Sequence, residues 1–269
     1  MSHGFWNVMQ VNTPRESLVN EISFFFPAHN EEASIQPMVA AALEYLPTVV
    51  DDYEIIIVND GSTDRTSEIA HALAAEHPEV RVVDHDTNRG YGGALISGIQ
   101  AATRRWIFFT DGDQQFDIRE LSSLIATLQP DIGAVIGYRI KRQDPRHRIL
   151  NAYLYKSLIR LLFGLKVRDI DCAYKLVKTE DVQPLSLKSN GALISAEMLI
   201  RMKKRRIEIR EVGVHHYPRT SGEQSGASIK VILRMFRELF KLAGELKSEE
   251  RLAEATATDP RNSVSPKVL

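Results

Sequence analysis

The sequence predicts an α/β fold built on a doubly wound, mostly parallel β-sheet with helices on both faces. Between residues 21 and 137, short apolar runs alternate with amphipathic stretches, a pattern typical of strands joined by crossover helices. The apolar runs are continuous and rich in β-branched and aromatic residues, as expected for parallel strands covered on both faces. A chain of 269 residues is long enough for one large domain or two small ones.

The predicted elements follow one another in a regular order up to residue 137. Five strands are expected, at EISFFF, YEIIIV, VRVV, RWIFFT and IGAVIG, and four helices, at residues 31–46, 63–76, 91–103 and 117–129. The pattern is less regular afterwards, where we expect a basic linker at 141–148, a helix ending near 164, a short irregular region, a helix at 195–204 and a strand at 206–213.

Two C-terminal segments, 149–165 and 227–247, have the pattern of basic amphipathic helices. Such helices lie in a membrane interface with the apolar face down, or pack against a core or a second copy of the chain. Both alternatives stay open for 227–247. Residues 248–269 are mostly small and polar, which predicts a disordered tail. The apolar face of 227–247 comprises Ile229, Ile232, Leu233, Phe236, Leu239, Phe240 and Leu246.

Composition excludes several classes of protein. Cys172 is the only cysteine, so neither an intrachain disulfide nor a cysteine-based zinc site is expected, and a reducing, cytoplasmic setting fits best. Residues 1–20 lack the features of a secretion signal. No stretch reaches the ~18 consecutive apolar residues of a membrane-spanning helix, because Lys156 and Arg160 interrupt the best candidate at 149–165.

The formal net charge of -1 conceals an asymmetry between the two halves of the chain. Residues 1–136 carry 7 Lys and Arg against 20 Asp and Glu, which is about -13, whereas residues 137–247 carry 24 against 11, which is about +13. A basic half favours phosphate groups, nucleic acid or an anionic membrane surface. Aromatic residues are not interleaved with these cations as base stacking requires, so we expect no nucleic-acid partner.

Polar motifs follow the first two predicted strands, at the sheet edge where doubly wound folds bind ligands. They read PAHNEE and NDGSTD. In the second motif, Gly61 permits a tight turn, and Ser62 or Thr63 is expected to cap the next helix. Asp60 is then left as an outward carboxylate that can accept a hydrogen bond from a nucleotide base.

The motif TDGDQQFD after the fourth strand carries Asp111, Asp113 and Gln115, which alternate along a segment expected to be extended. Oxygen ligands in this arrangement can converge on one hard cation. Mutual repulsion of Asp111 and Asp113 would destabilise the turn without a cation. The pair therefore predicts an Mg²⁺ or Mn²⁺ site that a diphosphate completes, and Asp117 is expected to cap the following helix.

A glycine-rich loop, NRGYGGA, opens the predicted helix after the third strand. Its backbone N–H groups and the Arg89 side chain can face a phosphate, with Gly90 at the helix start. The dinucleotide fingerprint G-x-G-x-x-G would need a glycine in place of Leu95, and no P-loop motif occurs in the sequence. The loop therefore matches neither a Rossmann nor a P-loop site.

Taken together, PAHNEE, VNDGSTDRT, NRGYGGA and TDGDQQFD resemble, in order and spacing, glycosyltransferase family 2 with its GT-A fold, over roughly residues 21–225. The resemblance implies a GDP- or UDP-linked sugar donor and inverting transfer of a hexose. It also implies that Asp113 and Gln115 hold the metal and that Asp111 lies near the ribose or diphosphate. The donor contacts expected from the resemblance and from the strand-end motifs are Pro27, His29, Asn30, Glu31, Asp60, Gly61, Arg89, Gly90 and Asp111.

Later features resemble a narrower branch, the dolichyl-phosphate mannose synthases and bacterial polyprenyl-phosphate glycosyltransferases. This branch implies a lipid-phosphate acceptor bound by Arg139, Arg219 and Ser221, and peripheral contact with the cytoplasmic face of a membrane. Asp113 and the two arginines are the expected catalytic residues. The matching features are GYR at 137–139, DIDCAYKL at 169–176, GALISAEML at 191–199 and HHYPRTSGEQS at 215–225.

The sequence departs from the family pattern at three points. His29 stands where tyrosine is common, and Ala173-Tyr174 stands where many relatives carry Gly-Phe. The C-terminal membrane anchor of many relatives is not present in this sequence. The last two differences leave the acceptor open.

There are three alternatives to sugar transfer onto a lipid phosphate: another acceptor, another enzyme class and a non-catalytic role. A hydroxyl acceptor on a glycolipid or polysaccharide would need a general base, for which Asp169, Asp171 and Glu197 are available. A nucleotidyltransferase would need an N-terminal glycine-rich, lysine-containing loop, which PAHNEE does not provide. A non-catalytic nucleotide-sugar-binding module is the third, and a homo-oligomer is left open.

The predicted domain organisation centres on one glycosyltransferase domain. It comprises an N-terminal extension at 1–20, the domain at 21–225 with a nucleotide-sugar half at 21–137 and an acceptor half at 138–225, a basic amphipathic helix at 226–247 and a tail at 248–269.

Overall fold

A computed structural model describes residues 18–140, 146–218, 237–249 and 251, with the backbone alone for 146–152. Within these residues the chain forms one seven-stranded sheet. The strands are β1 (Glu21–Ala28), β2 (Asp52–Asn59), β3 (Val80–Asp84), β4 (Trp106–Phe109), β5 (Ile132–Arg139), β6 (Lys175–Lys178) and β7 (Glu208–Val214).

Helices connect most of these strands, as the alternating pattern predicts. Short 3₁₀ turns at Leu46–Thr48, Ile118–Glu120 and Gln183–Leu185 supplement them. The α-helices are α1 (Ile35–Tyr45), α2 (Thr66–Glu76), α3 (Gly90–Ala101), α4 (Leu121–Thr127), α5 (Arg146–Phe163), α6 (Thr179–Val182), α7 (Ile194–Lys204) and α8, which covers 237–249.

The sheet is mostly parallel, which confirms the predicted fold class. Its strand order is β3-β2-β1-β4-β6-β5-β7, and β6 alone runs antiparallel, to both β4 and β5. β6 lies in the region predicted to be irregular. Its sequence, KLVK, is too short to show a strand period and includes a fully buried lysine.

Successive side chains of β1 point to opposite faces of the sheet, and each face has its own core. Phe24 and Phe26 pack with α1, α2 and α4, whereas Phe25 packs with α3, α5, α7 and α8. Each fully buried phenylalanine stabilises the fold by about 1.5–3 kcal/mol. The result is a three-layer arrangement in which all three aromatic residues of FFF are buried.

The turns before α2 and α4 are closed by aspartates. Asp64 Oδ1 accepts a hydrogen bond from Thr66 N–H at 2.9 Å, so the expectation that Ser62 or Thr63 caps α2 is wrong. Asp117 accepts from a backbone N–H two residues further on, at 3.0 Å, which confirms its predicted capping role. Asp64 lies closer than Ser62 or Thr63 to the start of α2, and its charged carboxylate is a favourable acceptor for the first N–H groups of the helix.

The two amphipathic C-terminal helices differ in what covers them. On α8, Leu239 and Leu246 are buried in the core of the α3 face together with Leu242, but Phe240 is 58% exposed. Phe240 therefore does not share the buried face of Leu239 and Leu246, although the sequence grouped all three on one apolar face. Residues 226–236 lie outside the described residues. No helix within the described residues combines the length and apolarity that crossing a bilayer requires.

Candidate functional site

Four parallel strands end at one edge of the sheet, and the segments after them form one cluster of polar side chains. β1, β2, β3 and β4 end at Ala28, Asn59, Asp84 and Phe109. Each predicted motif of the nucleotide-sugar half spans one of these ends or lies within a few residues beyond it. The structure therefore brings together the residues that strand-end reasoning singled out.

The turns after β1 and β2 hold each other through hydrogen bonds. Asn30, which has a φ of 57°, accepts from Thr63 N–H at 2.8 Å through Oδ1. Its own N–H donates to Ser62 Oγ at 3.1 Å, and Glu31 N–H donates to Thr66 Oγ1 at 2.8 Å. Asn30 tolerates the left-handed conformation that this interlocking requires.

Asp60 lies buried beneath these turns, only 3% exposed, so the expectation of an outward carboxylate is wrong for Oδ1, which is bonded within the protein. Its Oδ1 accepts from His85 Nδ1 at 2.6 Å and from Arg89 N–H at 2.8 Å. His29 Nδ1 donates to the Asp60 main-chain carbonyl at 2.9 Å. Donors of this kind are what a buried carboxylate needs, because burial without them is costly.

His85 is a site residue that sequence reasoning missed. It follows β3 directly, so the rule that located Asp60 after β2 would have located it as well. Its side chain is buried and bridges Asp60 to Ser97 Oγ, which lies 2.8 Å from Nε2. Nothing in the sequence indicates the bridge, because Ser97 lies on α3, twelve residues further along the chain.

Glycines in the glycine-rich loop and in the turn after β2 permit close backbone packing. A β-carbon on Gly61, which has a φ of 64°, would lie 2.5 Å from Asn88 N. Gly90, with a φ of 80°, would place one 2.7 Å from the Asn190 carbonyl, to which Gly92 N–H donates at 2.9 Å. The tight turn predicted at Gly61 is confirmed.

Three backbone N–H groups expected to face a phosphate are occupied within the protein. Arg89 N–H donates to Asp60, Gly90 N–H to Asn88 Oδ1 at 2.8 Å, and Gly92 N–H to a carbonyl in the loop before α7. For these three groups the expectation is wrong. The Arg89 side chain is exposed and can still meet a phosphate.

Asp111, Asp113 and Gln115 lie in a turn after β4, not in the extended segment that was expected. Gln114, with a φ of 60°, reverses the chain, and Gln115 N–H donates to Asp113 Oδ1 at 3.2 Å. Burial raises the pKa of Asp111 to about 6, and the negative charge of Asp113 adds to the rise. The two carboxylates are therefore close enough to repel each other, as the sequence predicted.

The residues of this turn suit a hard divalent cation. Asp111 Oδ1 is buried and has no hydrogen-bond partner among the described residues. Gln115 Nε2 donates to the Tyr217 carbonyl at 3.0 Å, which leaves its amide oxygen as the ligand atom. The described residues contain no group of three or more His, Cys, Asp or Glu arranged for a metal. Such a site suits Mg²⁺ or Mn²⁺ that takes its other ligands from phosphates and water.

Two residues outside the predicted motif roles act on Asp111. The Tyr91 hydroxyl hydrogen-bonds to it and favours its ionised form. Lys175 is fully buried and its positive charge acts in the same direction. Burial lowers the pKa of Lys175 while nearby acidic groups oppose the change, and its Nζ donates to the carbonyls of Ile170 and Cys172.

The expected acceptor residues are only partly described. Arg139 lies at the end of β5 and donates to the Asp169 carboxylate from Nε at 2.7 Å and from Nη2 at 2.9 Å. Its side chain is 14% exposed, which places it below the surface. Arg219 and Ser221 lie outside the described residues.

The three candidate general bases have different environments. Asp169 is 6% exposed and paired with Arg139. Glu197 is fully buried and accepts from Arg201 Nε at 2.8 Å and from two backbone N–H groups. Asp171 is exposed and its charge acts on the Tyr91 hydroxyl. Among these three, Asp171 alone is accessible to an acceptor.

The adjacent histidines His215 and His216 have separate contacts. His215 N–H donates to the Glu120 carboxylate at 3.0 Å, and its ring Nδ1 lies 3.1 Å from the same group. The His216 ring packs edge-on against Phe116 with 5.0 Å between ring centroids. The two rings therefore make different contacts.

Comparison with known proteins assigns the chain to a family. The family model described as glycosyl transferase family 2 matches residues 23–185, which include most of β1, all of β2 to β6 and all four polar motifs. The chain belongs to glycosyl transferase family 2. The resemblance inferred from the motifs is thereby confirmed, and the family region ends within the sheet, before β7.

Curated family 2 relatives are longer than this chain. The chain is 29% identical over 241 residues to glycosyltransferase AglD of Haloferax volcanii, which covers 86% of this chain and 38% of that protein. It is 27% identical over 220 residues to the undecaprenyl-phosphate 4-deoxy-4-formamido-L-arabinose transferase of Shewanella sediminis, covering 81% of this chain and 65% of that protein. The chain thus spans less than two thirds of either relative.

A solved structure shares the fold of this family 2 chain. Glucosyl-3-phosphoglycerate synthase of Mycobacterium tuberculosis, in complex with Mn²⁺, UDP and phosphoglyceric acid, superposes with a TM-score of 0.65 at 20% identity. The match covers 84% of this chain and 79% of the other. It supports the expected GT-A architecture of a mixed seven-stranded sheet between helices.

Proposed function

We propose that this family 2 chain transfers a hexose, with inversion, from a GDP- or UDP-linked sugar to a polyprenyl phosphate at the cytoplasmic face of a membrane. The observation that carries the proposal is the buried Oδ1 of Asp111 beside Asp113, which has no hydrogen-bond partner among the described residues and lies at the edge where Asp60 lies. Family membership supports sugar transfer. The donor occupies 21–137 and the acceptor 138–225.

The donor is held by the strand-end cluster. Asp60 offers an acceptor to a base N–H, and the interlocked turns carrying Asn30 and Glu31 form the floor for the nucleoside. The exposed Arg89 side chain meets the diphosphate, since guanidinium groups pair well with phosphate oxygens. These residues fix the position of the donor so that the anomeric carbon faces the acceptor half.

Asp111, Asp113 and Gln115 hold an Mg²⁺ or Mn²⁺ ion together with the diphosphate. When bound, such an ion neutralises negative charge that grows on the departing nucleoside diphosphate. Asp113 and Gln115 orient the ion, and Asp111 lies at the ribose or diphosphate. Tyr91 and Lys175 support Asp111 in its ionised form, which is the form that binds a cation.

The acceptor phosphate is bound by the basic half. Arg139 uses the N–H of Nε and one N–H of Nη2 for Asp169, so the two N–H groups of Nη1 and the second of Nη2 remain for a phosphate, alongside Arg219 and Ser221. A phosphate monoester loses its second proton at about pH 6. Its oxygen is therefore already a nucleophile near neutral pH, and transfer needs no general base.

A hydroxyl acceptor is the second candidate, favoured by one observation. Asp171 is exposed at the site, where a carboxylate could take the proton of an attacking hydroxyl. In that case Asp171→Asn abolishes transfer. With a phosphate acceptor the same variant keeps turnover, because the nucleophile carries no proton that must be removed.

Contact with the membrane is proposed for the outer face of α5. Tyr153, Leu154 and Leu161 are 63%, 51% and 80% exposed, and Arg160 is exposed beside them. Exposed apolar side chains with a neighbouring cation fit the interface of an anionic bilayer. This face would bring the site to a lipid-linked phosphate.

A donor screen followed by an acceptor comparison tests the proposal. Thermal shift with Mn²⁺ is measured over GDP- and UDP-linked hexoses, and the stabilising donor is then incubated with a polyprenyl phosphate or the polyprenol of equal length. We expect one donor to stabilise the protein and sugar to appear on the phosphate only. Transfer to the polyprenol instead would favour the hydroxyl alternative, and binding of no donor would contradict the proposal.

A further inference from the structure

The sheet edge at which β1 to β4 end contains a buried histidine that belongs to none of the four polar motifs. His85 is 4% exposed and its partner Asp60 is 3% exposed. His85 Nδ1 lies 2.6 Å from Asp60 Oδ1, and Nε2 lies 2.8 Å from Ser97 Oγ. The three side chains form a continuous hydrogen-bonded row from α3 to the turn after β2.

The partners determine where the imidazole hydrogen sits. A carboxylate oxygen can only accept, so the proton shared with Asp60 must come from His85 Nδ1. In the neutral ring Nε2 is then an acceptor, and the Ser97 hydroxyl donates to it. Ser97 therefore keeps the ring in the orientation and tautomer in which it donates to Asp60.

His85 and the backbone together occupy one oxygen of Asp60. Oδ1 receives His85 Nδ1 and, at 2.8 Å, Arg89 N–H. Among the described residues, no donor is recorded on Oδ2. Two donors on one oxygen restrict rotation of the carboxylate, so Oδ2 is held as an acceptor of defined direction. Charge-assisted hydrogen bonds of this kind are among the stronger ones in proteins.

We propose that His85 is a positioning residue that aims Asp60 Oδ2 at the nucleotide base and thereby selects bases with a ring N–H. This inference rests on the proposed function, in which a nucleoside diphosphate binds at this edge. Uracil and guanine present a ring N–H, whereas cytosine and adenine present a lone pair at the equivalent atom. A fixed carboxylate oxygen attracts the first pair and repels the second.

Two substitutions of His85 separate positioning from packing. In His85→Asn the amide nitrogen takes the place of Nδ1, so the donor to Asp60 is kept and Ser97 is lost. In His85→Gln the amide nitrogen takes the place of Nε2, so Ser97 is kept and the donor to Asp60 is lost. The matched control is His71→Gln. His71 is exposed on α2, and its Nε2 lies 2.8 Å from the carboxylate of Asp84 at the end of β3.

The measurement is the dissociation constant for UDP, CDP, GDP and ADP with Mn²⁺, by calorimetry. The nucleotide that binds most tightly decides which pair is compared. The readout is then the ratio of the two affinities in that pair, either UDP over CDP or GDP over ADP. We expect wild type and His71→Gln to prefer the ring N–H nucleotide by at least about tenfold, or about 1.4 kcal/mol. His85→Gln should lose most of that preference, and His85→Asn should keep it within about threefold.

The outcomes distinguish this inference from the function on which it rests. If wild type binds none of the four nucleotides, the proposed function fails and the inference with it. If wild type discriminates and folded His85→Gln discriminates equally well, the inference alone is overturned. A folded His85→Asn that loses the preference also overturns it, even if His85→Gln fails to fold.

Discussion

Arg139 and Asp169 form a two-pronged ion pair below the protein surface, with the carboxylate oxygens 2.7 Å from Nε and 2.9 Å from Nη2 of the guanidinium. Despite burial, which opposes the charged form, the hydrogen bonds from Arg139 to Asp169 keep the pKa of Arg139 above its ordinary value. The pair joins the end of β5 to the chain before β6. It therefore stabilises the acceptor half and leaves three N–H groups of Arg139 for an acceptor phosphate.

Breaking this pair on one side should destabilise the protein more than replacing both partners. Arg139→Met or Asp169→Leu alone leaves a buried charge without its partner, which costs about 3–5 kcal/mol, whereas the double replacement is often close to neutral. Urea unfolding of the two single variants and the double variant measures the difference. Additive losses in the double variant would contradict this account. Transfer to lipid phosphate should stay impaired in the double variant, because Arg139 is missing.

Asp113→Ala should abolish metal-dependent transfer while leaving the fold intact. Asp113 is proposed to orient the ion, and removing its carboxylate leaves Asp111 and Gln115 as the protein ligands. Loss of one metal-orienting group is expected to lower turnover by at least about 10²-fold, a scale typical of losing one electrostatic stabiliser. Sugar transfer at increasing Mn²⁺ concentration is the measurement, with circular dichroism as the test of folding.

Asp131→Ala is the matched control for this variant. Asp131 is exposed just before β5, at the opposite end of the strand from Arg139, so the same substitution there should leave turnover unchanged. Turnover with an unaltered Mn²⁺ dependence in Asp113→Ala would exclude Asp113 from the metal site.

Stability should fall at acid pH partly because of Glu54. This buried carboxylate accepts from Ser23 Oγ at 2.6 Å, Arg81 Nε at 2.7 Å and Thr103 N–H at 2.7 Å. Burial alone would raise the pKa of Glu54, but these hydrogen bonds lower it overall. A lowered folded-state pKa contributes stability that is present above about pH 4.3, the unfolded value, and is lost as pH falls through the folded value.

Glu54→Gln isolates this contribution. At pH 7 the variant should be less stable than wild type by about 1–3 kcal/mol, the scale of a hydrogen bond to a charged group. The difference in free energy of unfolding should shrink as pH falls below the unfolded-state pKa of about 4.3 and through the lowered pKa of Glu54 in the folded protein, because a protonated Glu54 resembles glutamine. Guanidinium unfolding at pH 3 to 7 measures it. A difference that stays constant over this range would assign the loss to packing.

Gly92→Ala and Gly244→Ala should have opposite effects although both lie in helices. A β-carbon on Gly92 would overlap the Ser189 carbonyl and backbone atoms of Asn190, whereas one on Gly244 meets none of the described residues within 4 Å. Overpacking costs about 1–3 kcal/mol, and alanine for glycine in an open helix position stabilises by about 0.5–1 kcal/mol. Thermal unfolding compares them, and a Gly92→Ala variant as stable as wild type would show that this loop moves aside readily.

Leu161→Ser should weaken binding to anionic vesicles. Leu161 is 80% exposed on the outer face of α5, so its replacement should not disturb the core. Leu18→Ser is the matched control, because Leu18 is 41% exposed just before β1, at the end of the sheet opposite the site. We expect Leu161→Ser to reduce flotation several-fold and Leu18→Ser to leave it unchanged, since burying a leucine contributes about 1.5–3 kcal/mol. Equal flotation of both variants and wild type would exclude this face.

The fold was predictable to the extent that it depends on local pattern. Continuous apolar runs predicted five of the seven strands, and α1 to α5 and α7 begin and end within a few residues of the predicted helices. The short helix α6 was not predicted, and the start of the helix predicted at 227–247 lies outside the described residues. The strand at 206–213 was also expected, and β7 confirms it. β6 was not, because a four-residue strand acquires its identity from β4 and β5, its neighbours on either side.

The location of the site was predictable, but its internal contacts were not. Strand-end reasoning placed Asp60, Asp111 and Asp113 at one edge, since carboxyl ends of parallel strands coincide there. It could not show that Asp60 turns inward to His85, because the orientation of a side chain depends on donors from other elements. The same applies to Arg139, whose basic character was evident and whose pairing with a distant aspartate was not.

The sequence by itself determined the fold class, the family and the identity of the residues around the proposed donor. These follow from periodicity and from motifs, which are properties of neighbouring positions along the chain. Only the tertiary structure decided which polar groups are already engaged: Asp60 with His85, Glu197 with Arg201, and the loop N–H groups with carbonyls and side chains across the site. Hydrogen bonds and burial are set by atoms brought together from distant parts of the chain, and their energies depend on that arrangement.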